Sequence, residues 1–196
     1  MAKELAKQTK EAFDFIQKLY LELSYFIKEI EGFLKDEPEE FLIGKPSGYG
    51  IITRTSSGLE PHYVENWLPR LTFNFFCPTN MTKIEGGCTV TKFNKSLKVI
   101  IIYILLHDKS LNQPTVCGGY IENIENKKID KFNKFEHLMS VFSYNANKIL
   151  SSPHKIDYSD NYCTFCGEYT KKPLYSINSS LEVKKLVDSI LALYRK

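Results

Sequence analysis

Cys163-Thr164-Phe165-Cys166-Gly167 is the one local run in this chain whose residue types and spacing match a metal site. Two thiolates three positions apart, followed by a glycine that lets backbone amides turn toward sulfur, supply half of a tetrahedral zinc site. No second CxxC or CxxH occurs, so the other donors must come singly from His107, His154, Cys77, Cys88 or Cys117. Zinc is therefore the one cofactor the sequence allows for, held through Cys163 and Cys166. The competing reading is a pair of ordinary half-buried thiols. Redox chemistry ranks below zinc, because a redox dithiol opens a helix after a strand, where the dipole lowers the thiol pKa. Here Tyr162 and Glu168-Tyr169-Thr170 make the flanks β-like and acidic.

The other chemical patterns are weaker. Gly44-Lys45-Pro46-Ser47-Gly48-Tyr49-Gly50 is rich in glycine, but its lysine follows the first glycine and a strand-like run comes next, so it reads as a lead into a hairpin rather than a phosphate loop. Gly86-Gly87 and Gly118-Gly119 lie beside strand-like runs, where glycine marks a bulge or a close backbone approach. His107-Asp108 follows the most apolar run directly, at a strand end where side chains can act as acid, base or ligand. Glu168-Tyr-Thr-Lys171 has the wrong spacing for the Glu-x-Lys of a metal-dependent nuclease, and neither G-x-S-x-G nor H-E-x-x-H is present. No catalytic constellation emerges.

Binding is better represented than catalysis. Tyr63, Trp67 and Arg70 fall in the proline-bounded stretch Pro61–Arg70, where an aromatic loop would suit a partner interface or a stacking platform. Lys83, Lys92, Lys95 and Lys98 gather around one expected hairpin and could touch phosphates. The net charge of +3 and the ratio of 23 lysines to three arginines nevertheless fall short of a dedicated nucleic-acid binder.

The elements that must position these residues follow from periodicity. From Glu4 to Leu34, apolar residues at Ala12, Ile16, Leu19, Leu23, Phe26, Ile30 and Phe33 alternate steps of four and three, with Phe13, Tyr20, Ile27 and Leu34 widening the stripe. This predicts a long amphipathic helix ending near Lys35, before Pro38. A stripe this broad suits a helix packed on its own sheet, while a length of about 45 Å exceeds a small domain and suits a partner contact. Leu21 and Tyr25 lie on its opposite face as further candidate partner contacts.

Leu97–Leu106 is almost unbroken in apolar, β-branched residues and predicts a central strand covered on both faces. Leu71–Phe76, Gly87–Phe93, Thr115–Ile124, Lys155–Tyr158 and Phe165–Ile177 are the other main strand candidates, in an antiparallel meander. Phe132–Ile149 carries a buried-face helical pattern opened by the capping-box sequence Asn133–Glu136. The last helix, capped at Ser179–Glu182, turns Val183, Leu186, Val187, Ile190 and Tyr194 inward.

The fold class expected is α+β: a mostly antiparallel central sheet with a long N-terminal helix, one helix after the meander and a C-terminal helix. Residues 1–35 form a helix packed on or projecting from the body, and residues 36–196 a single α+β domain. With 43% hydrophobic and 25% charged residues the chain has an ordinary globular composition. No apolar leader or membrane-length run is visible, and five cysteines form an odd, scattered set, so the expected setting is cytoplasmic with reduced thiols. The function expected is a non-catalytic interaction or regulatory module that binds a protein partner or a second copy through the N-terminal helix and the aromatic loop. The alternative is a small nucleic-acid-binding or nucleic-acid-acting protein with a zinc knuckle.

Overall fold

Seven consecutive apolar residues, Val99–Leu105, form strand β5, and nearly all are buried because the sheet around them is covered twice. In a computed structural model, the structure describes residues 2–43, 71–85, 88–91, 97–107, 112–127 and 152–196, with 138, 141–142, 145–146 and 148–150 between them. Phe41–Ile43 (β1), Leu71–Pro78 (β2), Thr115–Asn126 (β6), Lys155–Ser159 (β7) and Cys163–Pro173 (β8) join β5 in one antiparallel sheet of order β1-β2-β5-β6-β8-β7. The fold is thus α+β, as the apolar runs predict. Strand alternation sends Val99, Ile101 and Tyr103 to one face and Ile100, Ile102 and Ile104 to the other, each into its own core.

Three features of the sheet differ from the expected meander. Thr82–Glu85 (β3) and Cys88–Thr91 (β4) leave it and form a separate two-stranded ribbon, so β2 pairs directly with β5. Their sequences, TKIE and CTVT, are too polar to fill a place covered on both faces. β8, longer than β7, takes the inner place beside β6 and leaves β7 at the edge. Phe41–Ile43, expected in a loop, closes the opposite edge.

The first face of the sheet carries Phe73, Phe75, Tyr158 and Phe165, against which the helical residues Leu138, Val141, Phe142, Ala146 and Ile149 are buried. Phe142 stacks on Phe73 at 4.2 Å and on Phe165 at 5.5 Å between ring centroids. The second face carries Phe41, Phe76, Ile100, Ile102 and Val116 and is covered by helices Ala2–Lys35 (α1) and Ser180–Tyr194 (α2). Gly118 is the seat of α2, since a Cβ there would collide with Ile190. Ser179 caps α2 by accepting a hydrogen bond from the Glu182 amide at 3.4 Å.

Arg195, just past α2, reaches the segment that follows α1. Its Nε donates to Glu39 at 2.9 Å, and Nη2 donates to Glu39 at 2.6 Å and to Glu37 at 2.8 Å. This fork holds the Glu39 carboxyl below its usual pKa. The ion pairs thus tie the end of α2 to the segment between α1 and β1.

Candidate docking site on the N-terminal helix

α1 has one heptad pattern and two environments. In its second half, Leu23, Phe26, Ile30 and Leu34 are buried against the second face of the sheet, with Leu19, Tyr20, Ile27 and Phe33 packed at the margin. In its first half the stripe continues through Leu5, Ala12, Phe15 and Ile16, yet residues 3–15 are exposed at every position. Leu5 is 65% exposed and Phe13 and Phe15 are each 61% exposed. At 1.5 Å per residue the helix is about 51 Å long, so close to half of it projects. α1 is thus packed on the sheet over its second half and exposed over its first.

At about 100° per residue, Phe13 and Phe15 stand on nearly opposite sides of the helix with Leu5 between them, so the exposed apolar residues cover a wide face rather than a single line. The polar residues add little to holding this half: Lys7 lies 3.9 Å from Glu11, and Gln8 donates to Glu4 at 3.5 Å, both in the open. An unsupported helix of this length is marginal in water, which gives a partner that covers the stripe a further stabilising effect.

Where α1 meets the body, a groove of about 330 Å³ runs between it and the start of α2. Leu19, Glu22, Tyr25 and Phe26 form one wall, and the 3-10 turn Leu174–Ser176 and the α2 N-terminus form the other. Tyr175 and Leu181 are 60% and 63% exposed near its mouth. Of the two residues expected on the outer face of α1, Tyr25 is 59% exposed and lines this groove. Leu21 is 50% exposed and does not. Tyr63, Trp67 and Arg70 lie outside the described residues.

The CxxC pair does not come together. Both cysteines sit within β8 rather than on a turn, and residues three apart on an extended strand point to opposite faces. Cys163 faces the first core and is buried. Burial, together with the nearby Asp160 carboxylate, pushes its thiol pKa up to about 12. Cys166 is half-buried on the other side, where the Asn123 side-chain amide donates to its sulfur at 3.4 Å. On this strand geometry Cys163 and Cys166 stand on different faces of β8 rather than side by side. Among the described residues, no group of three or more His, Cys, Asp or Glu side chains could hold a metal ion.

The thiol of Cys77 is raised well above its usual pKa by burial, and that of Cys117 is pushed up to about 11 for the same reason. His154, another donor expected for zinc, is exposed, with its Nδ1 3.3 Å from the Tyr169 carbonyl oxygen.

Of the four lysines expected near the hairpin, Lys98 is the one whose side chain is among those described. Lys98 places its Nζ 3.6 Å from a Glu122 carboxylate oxygen and 3.8 Å from the Tyr120 ring centroid, with its side chain 19% exposed. That charge is already used within the protein. Lys83 lies on the β3 ribbon, and Lys92 and Lys95 fall outside the described residues.

No family model, no curated protein and no solved structure matches this chain. No helix among the described residues is long and apolar enough to cross a membrane.

Proposed function

We propose that this protein is a non-catalytic interaction module with a regulatory or accessory role, and that it holds a protein partner through the projecting half of α1. One observation carries the reading: the stripe that packs α1 onto its own sheet runs on, in the same heptad register, through half-buried Ile16 to Ala12 and Leu5, which are exposed. A face built to pack on protein, left open over half its length, is a recognition surface of the helix-docking kind. The groove at the foot of the helix extends that surface, and the loop bearing Tyr63, Trp67 and Arg70 supplies a second contact. The internal pairing of Lys98 weighs against the nucleic-acid reading.

Photo-crosslinking in the source cells tests the proposal. A photoreactive residue at Phe13, on the stripe side, should give a discrete protein adduct, either with the same chain or with another. The same residue at Lys7, on the opposite side, should give none. Absence of an adduct at Phe13, or equal labelling at both positions, refutes the reading.

A further inference from the structure

We draw no further inference here: the strongest candidate, the groove between α1 and the start of α2 lined by Glu22, Tyr25, Glu29 and Tyr175, belongs to the docking surface already described, and nothing in the structure shows what covers it.

Discussion

Cutting α1 at two different points should give opposite results, because only its second half is part of the core. Removal of residues 2–15 takes away no buried side chain. Stability should then change by no more than about 0.5 kcal/mol, the range of surface changes. That corresponds to a shift of about 2 °C or less in Tm for a chain of this size. Removal of residues 2–34 deletes Leu23, Phe26, Ile30 and Leu34 and strips the cover from Phe41 and Phe76. At about 1.5–3 kcal/mol per buried side chain, the four account for roughly 6–12 kcal/mol. That is comparable to the whole net stability of a typical domain, about 5–15 kcal/mol, so this product should be insoluble. Ile30→Ala provides the intermediate scale, with an expected loss of about 2–5 kcal/mol. The measurement is urea unfolding followed by far-UV circular dichroism at submicromolar protein, where self-association adds little. A loss on removing residues 2–15 as large as that of Ile30→Ala would refute the two-environment account of α1.

Neighbouring glycines of β6 should differ in cost. A Cβ on Gly119 meets the Glu168 carbonyl oxygen and Tyr169 main chain, whereas one on Gly118 meets side chains, those of Ile190 and Ile102. Gly119→Ala should therefore lower stability by about 3 kcal/mol or more and Gly118→Ala by about 1–2 kcal/mol in denaturant titrations; the reverse order would contradict the β6–β8 register. Arg195→Ala should cost about 1 kcal/mol near neutral pH. Because Arg195 lowers the Glu39 pKa below 4.5, that contribution is complete above this value and disappears as the pH falls through the depressed one, so the stability curves of parent and variant should converge in acid. A difference that persists there argues against an ionic origin. In native protein, a thiol reagent should modify Cys166 well before Cys77, Cys117 and Cys163, which become reactive on unfolding; mass spectrometry of the labelled peptides reads the order. Metal analysis of the purified chain should find no stoichiometric zinc that depends on Cys163, and a loss of bound zinc on Cys163→Ser would overturn the strand placement.

Most of the architecture was legible because apolar period alone specifies it. Val99–Leu105 has no polar face and therefore needs cover on both sides, and Leu23, Phe26, Ile30 and Leu34 keep helical spacing. Strand order was less legible, since pairing depends on which neighbours can cover each face. Gly87–Phe93 was expected in the sheet for that reason, whereas β4 pairs with β3, for which no strand was expected, and β1 was overlooked because three residues after Pro38 are too few for a clear period. The CxxC spacing brings two thiolates together when it falls on a turn, and here it falls on the extended strand β8. Phe165 between the two cysteines and Tyr169 beyond them keep the alternation of a strand, a local signal that competed with the motif and prevailed. The stripe of α1 was visible in sequence, but the point at which it leaves the body was not, since Leu5 and Leu34 look alike until the sheet is in place.

α1 has no proline from Ala2 to Lys35 and only Gly32 as a weak point, deep in its anchored end. A continuous rod clamped along its rear third cannot swivel where it emerges. Whatever seizes the tip must accept the angle that Ile30 and Leu34 dictate. Tilting the tip would act as a crowbar on Phe41 and Phe76, so strain applied at Leu5 would be felt first beneath the clamp rather than along the shaft.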